Sequence, residues 1–410
     1  MSLPPRTAGA ALAHRDFRFY LAIRFGAMLG QFMQTVAVGW QVYDITHRPI
    51  DLGYVGLVLF LPQVLFSLVA GAVADRFDRR RVMLVCLGLE TVAAAALLTV
   101  TLIGMTTAAP IYGVLALFGT ARAFLGPAMQ SLVPKLVPRE QFTNAVAWSS
   151  QAMQVAAVAG PALGGVLYGF GPAVVYALVT LLIGLASLGT LGLRTRLTQV
   201  SAEGPMLERL LAGVHFVRSQ PVVLGAISLD LFAVLFGGAT ALLPVFARDI
   251  LVVGPWGLGL LRSAPALGAT LCALWLAHHP LQHHAGRTMF LCVAGFGLVT
   301  IGFGLSSSFL LSLLFLVALG GFDMISVYVR QSVIQLATPD AMRGRVSAVN
   351  LVFIGASNEL GEFESGMTAA WFGTVPAVVL GGLGTLAVVG LWAWRFKALR
   401  RTNRLEDVGK

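Results

Sequence analysis

The sequence predicts an all-α integral membrane protein in which twelve transmembrane helices form two six-helix, pseudo-symmetric bundles. Only 11% of the 410 residues are charged, whereas soluble proteins average about 25%. Hydrophobic residues make up 57% of the chain and occur in long runs separated by short polar gaps. The basic residues fall almost entirely in those gaps, as they do in proteins that follow the positive-inside rule.

The apolar runs set the predicted spans, because a transmembrane helix needs roughly 20 mainly apolar residues. The spans are expected at 19–43, 52–74, 82–104, 109–133, 144–168, 173–193, 221–246, 255–277, 288–306, 309–331, 348–372 and 374–396. The predicted domains are an N-terminal bundle (1–193), a cytoplasmic linker with an amphipathic helix (194–220), a C-terminal bundle (221–396) and a cytoplasmic tail (397–410).

The 28 lysines and arginines predict the orientation of the chain. With the N-terminus inside, most of them lie in cytoplasmic segments, and the external loops hold only Arg48 and Arg248. We therefore expect both termini in the cytoplasm and the spans in a bacterial inner membrane. The first residues show no cleavable signal peptide, so the first apolar run is expected to act as an uncleaved membrane signal.

The polar segments indicate a duplicated architecture joined by a long linker. In that linker Leu207, Leu210, Leu211, Val214 and Val217 recur at helical spacing, which predicts a helix on the inner membrane face. The segment LVPREQFTNAVA after the fourth span resembles ATPDAMRGRVSAVN after the tenth. Such internal repetition is typical of transporters whose substrate site lies between two repeats.

The most specific motif is GAVADRFDRRRVM, residues 71–83, between the second and third spans. It resembles the pattern G-x-x-x-D-R-x-G-R-R of the major facilitator superfamily. The matching residues are Gly71, Asp75, Arg76, Arg79 and Arg80. Asp78 stands where that family usually has glycine.

The residue types in this motif predict a cytoplasmic latch. Gly71 would let two helices approach closely, Asp75 could face the positive N-terminus of a neighbouring helix, and the arginines could pair with cytoplasmic acids. Such a latch would close the cytoplasmic side in one state and open in the other. The alternative is a positive-inside stop signal, which the arginines would serve equally well.

The fifth span contains AVAGPALGGVLY, where Gly160, Pro161, Gly164 and Gly165 resemble the antiporter signature G-P-x-x-G-G of the same superfamily. Ala156 replaces the first glycine of the longer family pattern. Proline removes a helix hydrogen bond and glycine removes side-chain bulk, so this helix could bend and pack tightly. Small-residue packing without any role in antiport is the alternative.

Arg122 in GTARAFLGPAMQ resembles the intramembrane arginine motif of the superfamily, where the residue is linked to proton coupling. An arginine in mid-bilayer costs at least about 2.5 kcal/mol unless it faces water or an acid. The resemblance covers the full chain and is greatest to the bacterial branch that contains enterobactin exporters and macrolide-efflux proteins. It implies a transporter that exports a drug or siderophore in exchange for protons.

Polar side chains in the first span form a stripe. Arg24, Gln31, Gln34 and Gln41 project within a sector of roughly 100° on a helix. A lipid-facing stripe of this kind is unfavourable, so it is expected to line a cavity or pair with another helix. Arg24, Gln31 and Gln34, together with Asn358 in the eleventh span, are the candidates for substrate contact.

Single acids occur inside three other spans. Glu90, Asp230 and Asp323 lie in apolar surroundings, which makes each a candidate proton carrier. The alternative for each acid is a fixed ion pair with an intramembrane arginine. The possible partners are Arg24, Arg122, Arg262 and Arg330.

The eleventh span contains three glutamates in GASNELGEFESG. On a helix Glu359 and Glu362 share one polar sector with Asn358, and Glu364 falls on the far side. Two like charges one turn apart could hold a proton, so Glu362 and Glu359 are the leading coupling candidates, against a buried structural pair.

Glu364 has a different predicted environment from the other two glutamates. It is expected to pair with an arginine of a neighbouring helix, or to leave the bundle through a helix break at Gly361 or Gly366.

The sequence argues against other chemistry. Cys86, Cys272 and Cys292 lie inside apolar runs, where no disulfide or metal spacing can be built from them. The histidine cluster HHPLQHHAGR offers no Cys or acid beside it and is interpreted as a polar turn. Neither a Walker pattern nor H-E-x-x-H occurs, so no ATP hydrolysis, metal or cofactor is expected.

The predicted function is proton-coupled efflux of an amphipathic small molecule by alternating access. The expected partners are the substrate, protons and the bilayer, with no nucleic acid, and the protein is expected to be monomeric. A nutrient importer or lipid transporter of the same fold remains an alternative. A membrane-embedded enzyme using the glutamates is a further alternative, against which the missing metal motifs argue.

Overall fold

The structure is a computed structural model that describes residues 9–104, 106–194, 206–279, 281 and 283–403, apart from the side chains of 68, 72, 74, 75, 206–210, 340 and 341. These residues contain twelve long helices and no strand. The helices are α1 (Arg15–Thr46), α2 (Pro49–Arg76), α3 (Arg79–Ile103), α4 (Ala109–Gln130), α5 (Phe142–Tyr168), α6 (Pro172–Gly189), α7 (Pro221–Phe236), α8 (Gly254–His278), α9 (Ala285–Leu305), α10 (Phe309–Ala337), α11 (Asp340–Phe372) and α12 (Thr374–Arg395).

The chain divides into two compact units, and each is described by itself below. One unit comprises Met1–Gln41 and Leu61–Glu203, and the other comprises Val42–Phe60 and Gly204–Lys410. The end of α1 and the first part of α2 therefore group with the C-terminal helices.

Ten helical segments of the described residues are long and apolar enough to cross a membrane, and one of them runs from the start of α7 to Ile250. The two long helices outside that set are α5, with 27 residues, and α11, with 33. Both are long enough but more polar, α11 because of its three glutamates. Each of these two helices is the fifth of its half, so they occupy equivalent positions in the two halves. Their polar side chains must face protein or water, because lipid cannot satisfy them.

Several helices begin before the predicted spans, where polar residues precede the apolar run. α11 begins at Asp340, whereas the apolar run predicted a start near 348. α1 similarly begins at Arg15 instead of 19. Hydropathy marks the hydrocarbon core, whereas backbone hydrogen bonding continues into the aqueous boundary.

The predicted seventh span, 221–246, is broken in the structure. After α7 ends at Phe236, the chain forms a 3₁₀ turn (Ala239–Leu242), a short helix (Leu243–Val245) and a π-helix (Phe246–Ile250). A Cβ on Gly238 would lie 2.5 Å from the Gly361 carbonyl oxygen, so α11 packs directly on the break. The expected break in α11 at Gly361 or Gly366 is therefore wrong, because α11 continues through both residues.

The linker contains a helix at Met206–Ser219. Its Val217 is buried among residues of α7, α10 and α11. A Cβ on Gly213 would lie 2.7 Å from the Arg345 carbonyl oxygen, so the backbones of the linker helix and α11 are in close contact. The side chains of Leu207 and Leu210, on which the amphipathic prediction partly depends, lie outside the described residues. The position of the linker helix on the inner membrane face therefore stays a prediction.

Candidate transport site

The motif between α2 and α3 contains a helix N-cap that its resemblance to the family pattern did not predict. α2 ends at Arg76 and α3 begins at Arg79, with Asp78 as the N-cap residue. Asp78 Oδ1 accepts a hydrogen bond from the Arg80 main-chain N–H at 2.8 Å. The residue that departs from the family's glycine therefore stabilises the start of α3.

The arginines of this loop bind helix C-termini within the first unit. Arg79 Nη1 donates to the carbonyl of Ser131 at 3.3 Å, and Arg80 donates to the carbonyls of Thr190 at 2.9 Å and Leu191 at 2.6 Å. Ser131 and Thr190 are the C-cap residues of α4 and α6. Among the described residues, carbonyls at the negative ends of two helices bind these guanidinium groups, and their pairing with cytoplasmic acids stays a prediction.

The remaining motif residues lie in the last turns of α2. Gly71 and Arg76 are on this helix, and the Arg76 side chain is exposed. The Asp75 side chain lies outside the described residues. A latch function for the motif stays a prediction.

The N-cap of α3 gives a test of the departure from the family pattern. We expect Asp78→Ala to lower stability by about 0.5–2 kcal/mol, and Asp78→Gly to lower it by only a few tenths of a kcal/mol, because glycine is tolerated at N-caps. Hydrogen exchange at the first turn of α3 and the thermal unfolding midpoint of the purified protein measure the effect. Equal losses for alanine and glycine would mean that Asp78 does not act as a cap.

The glycine motif of α5 packs against the backbone of α1. A Cβ on Gly164 would lie 2.9 Å from the Met33 carbonyl oxygen, and one on Gly160 would lie 2.5 Å from Phe32 Cβ. Pro161 and Gly165 are buried in the same helix. The motif therefore provides close helix packing, and its role in antiport stays a prediction.

This packing predicts a stability loss on adding one methyl group. We expect Gly164→Ala to lower stability by about 1–3 kcal/mol, because backbone atoms cannot move aside as side chains do. The matched control is Gly113→Ala in α4, where a Cβ meets nothing within 4 Å. That change is expected to be neutral or stabilising by up to about 1 kcal/mol. Thermal unfolding in detergent measures both variants, and a harmless Gly164→Ala would contradict the close approach.

The polar stripe of α1 pairs with other helices of the first unit at two positions. Gln31 Nε2 donates to both carboxylate oxygens of Glu90, at 2.9 and 3.2 Å, and Glu90 is fully buried. Gln41 accepts from the Tyr176 hydroxyl at 2.7 Å and donates to Thr101. These contacts fix α1 to α3 and α6.

Two further stripe residues have polar atoms available. Gln34 is buried, and its Oε1 has no hydrogen-bond partner among the described residues. Arg24 donates to the Tyr20 hydroxyl at 3.1 Å, and its buried Nε has no partner there either. Arg122 of α4 acts electrostatically on Glu90. The first unit thus combines a buried carboxylate, a nearby guanidinium and unpaired polar atoms.

In the second unit Asp230 of α7 forms the ion pair that was one of its two predicted states. Its Oδ2 lies 2.8 Å from Arg330 Nη1 of α10, and the side chains are 6% and 4% exposed. Arg330 Nη1 also lies 3.4 Å from Asn350 Oδ1 of α11. Asp323 interacts electrostatically with Asp230 and Arg330 and lines a small cavity beside them. One guanidinium therefore pairs with Asp230 and acts electrostatically on Asp323.

The second cluster of this unit joins α11 to α8. Arg262 of α8 interacts electrostatically with Glu362 and Glu359. Its buried Nε has no hydrogen-bond partner among the described residues. A Cβ on Gly56 of α2 would lie 2.9 Å from Glu362 Oε2 and 3.4 Å from Glu359 Oε2. Both carboxylates thus face Gly56, as helical spacing predicts, and both interact electrostatically with one arginine.

The other polar residues of α11 lie apart from this cluster. Glu364 Oε1 accepts from the Thr368 hydroxyl at 2.8 Å, and no arginine of the described residues forms an ion pair with it, so the expected arginine pairing is wrong for this part of the chain. A threonine one turn later supplies a local donor, which satisfies the carboxylate within its own helix. Asn358 is exposed, and its substrate contact stays a prediction.

The fold agrees with what similarity to known proteins shows. A family model described as "Transmembrane secretion effector" matches residues 6–408. The chain belongs to this family of the major facilitator superfamily. Its architecture is accordingly the major facilitator fold, with twelve helices in two pseudo-symmetric six-helix bundles.

Relatives of this secretion-effector chain include named exporters. Enterobactin exporter EntS of Citrobacter koseri is 28% identical over 386 residues, which cover 92% of this chain and 91% of that protein. Enterobactin exporter EntS of Escherichia coli O1:K1 is 27% identical over 381 residues, with coverage of 91% and 86%.

Solved structures share the fold of this family member. A bacterial homologue of the human lysosomal transporter Spinster, inward-facing and unoccupied, has a TM-score of 0.71 at 14% identity and covers 94% of this chain and 96% of its own. A bacterial homologue of the iron transporter ferroportin, inward-facing, has a TM-score of 0.70 at 15% identity, with coverage of 95% and 99%. These identities show the fold alone. The family assignment, which rests on the family model, makes the chain a membrane transporter.

Proposed function

We propose that the protein is a secondary active exporter that moves an amphipathic small molecule, such as a drug or siderophore, outward in exchange for protons. The observation that carries this proposal is the cluster of Glu362, Glu359 and Arg262 within the membrane-spanning helices. Two ionised carboxylates facing one guanidinium have an excess negative charge, which is costly in a low-dielectric bundle. One bound proton, or the positive or hydrogen-bond-donating part of a substrate, would neutralise it.

The geometry of the cluster favours Glu362 as the group that exchanges the proton. Glu362 Oε2 would lie 2.9 Å from a Cβ on Gly56 and Glu359 Oε2 3.4 Å from it, and the Nε of Arg262, which interacts electrostatically with both carboxylates, lacks a hydrogen-bond partner among the described residues. A change in the charge of Glu362 therefore alters the environment of Arg262 directly. Proton and substrate would compete for this cluster, and that competition is the requirement for antiport.

The Asp230–Arg330–Asp323 cluster has a different role in this proposal. Its ion pair is short and almost fully buried, which suits a fixed structural contact. Asp323, beside the small cavity, is a second proton position. Glu90, facing Gln31 and Arg122, is the corresponding position in the first unit.

The direction of transport is supported by the relatives. The curated relatives are enterobactin exporters, and the family model describes secretion. The basic residues favour a bacterial inner membrane with both termini in the cytoplasm. We propose a monomer that binds no nucleic acid. An importer or lipid transporter would share the fold, so the fold itself does not select between these functions.

Proteoliposomes test the proposal directly. Purified protein is reconstituted with a panel of siderophores, macrolides and cationic dyes, and a proton gradient of either sign is imposed. We expect substrate to move against the direction of the proton flow and to stop when an ionophore collapses the gradient. Accumulation in the same direction as the protons, or transport that ignores the gradient, would overturn the proposal.

A further inference from the structure

An open groove of about 670 Å³ lies between the linker helix and the start of α11, outside the transport clusters. Its volume is within the range of about 300–1,000 Å³ that is common for ligand sites. Its basic lining residues are Arg218, Arg345 and His215. None of its described lining residues is acidic.

The groove is also amphipathic. Val214, Phe216 and Met342 line it and pack against the buried core of the second unit. Leu211 lines the groove and is 59% exposed. Arg218 and Arg345 are exposed as well, so the groove presents cationic groups beside an accessible apolar surface.

The position of the groove matches a membrane boundary. The linker helix ends at Ser219, and α7 begins its membrane crossing at Pro221. Arg345 lies near the start of α11. The groove is thus level with the ends of two spans, at the depth where phospholipid phosphates lie, and the charge distribution of the chain predicts that this side is cytoplasmic.

We propose that this groove binds an anionic phospholipid of the inner leaflet. The phosphate lies between Arg218 and Arg345, and an acyl chain follows Leu211 and Val214. Guanidinium groups suit phosphate because they offer several donors in one plane. Basic pockets on the cytoplasmic side of membrane helices bind acidic headgroups for the same reason.

The bound lipid would contact both the linker helix and α11, the two elements of the second unit that line the groove. Gly213 and Arg345 are already in backbone contact, so the linker helix and α11 are held closely together. A lipid phosphate shared by Arg218 of one helix and Arg345 of the other strengthens that junction. α11 also carries the Glu359 and Glu362 cluster.

Native mass spectrometry of the full chain in detergent tests this site. The protein is titrated with dioleoyl phosphatidylglycerol, with dioleoyl phosphatidylcholine, and with inorganic phosphate. We expect retention of phosphatidylglycerol well above phosphatidylcholine, and a loss of affinity of about fivefold for Arg218→Gln or Arg345→Gln. The double variant is expected to lose about 25-fold if the two free-energy contributions add.

The matched control is Arg343→Gln, on the same turn of α11 but outside the groove lining, which is expected to keep wild-type affinity. Thermal unfolding midpoints check that each variant is folded. Equal binding of both lipids, unchanged affinity in the double variant, or displacement of the lipid by equimolar inorganic phosphate would each overturn the proposal.

Discussion

Glu362→Gln is expected to abolish proton-driven transport while substrate binding persists. Glutamine keeps the size and hydrogen-bonding capacity of the side chain but cannot release a proton, so Arg262 faces an unchanging neutral partner at that position. The measurement is substrate movement in proteoliposomes under a proton gradient, compared with counterflow of labelled substrate at equal pH on both sides. Gradient-driven movement is expected to fall to the level of empty vesicles, and counterflow is expected to continue.

The chain offers a matched control for this variant two residues away. Glu364→Gln changes the same residue type on the same helix, but Glu364 hydrogen-bonds to Thr368 and lies away from Arg262. It is expected to keep gradient-driven transport. Coupled transport that survives Glu362→Gln, or that is lost equally in both variants, would contradict a specific role for Glu362.

Arg330→Met is expected to cause the largest loss of stability. Removing the guanidinium leaves Asp230 buried without its ion-pair partner at 2.8 Å, and Asp323 loses the same neighbouring charge. Breaking a buried pair of this kind costs about 3–5 kcal/mol, because one charge remains uncompensated. The thermal unfolding midpoint and an unfolding titration in mixed detergent measure the loss.

The double variant Arg330→Met with Asp230→Leu separates a lost ion pair from lost packing. It removes the stranded carboxylate together with the arginine, so most of the lost stability is expected to return. A double variant as unstable as Arg330→Met alone would show that the arginine stabilises the unit mainly through its contact area or through Asn350.

Hydropathy and helical periodicity predicted most of the architecture because they depend on local sequence. Apolar length gave twelve spans, and the 100° step placed Glu359 and Glu362 on one face, where both meet Gly56. The break after α7 was missed, although the adjacent glycines Gly237 and Gly238 mark it, because an apolar count ignores backbone conformation.

Partner identities were harder to predict because they depend on tertiary contacts. No sequence pattern shows that Arg80 meets carbonyls at the end of α6, or that Arg330 selects Asp230 from several acids. Gly56 has no side chain, so its place beside the two glutamates could not be predicted from its chemistry. Only its three-residue spacing from Gly53 indicates a face on which two helices pack. Asp78 was predictable in principle, since an aspartate immediately before a helix is a common N-cap.

Proton release on substrate binding tests the central claim of competition at Glu362 most directly. Purified protein is placed in weakly buffered solution with a pH indicator, and a substrate identified in the transport panel is added. Competition predicts release of about one proton per protein in the wild type and in Glu364→Gln, and none in Glu362→Gln. The same release from Glu362→Gln as from the wild type would contradict the account.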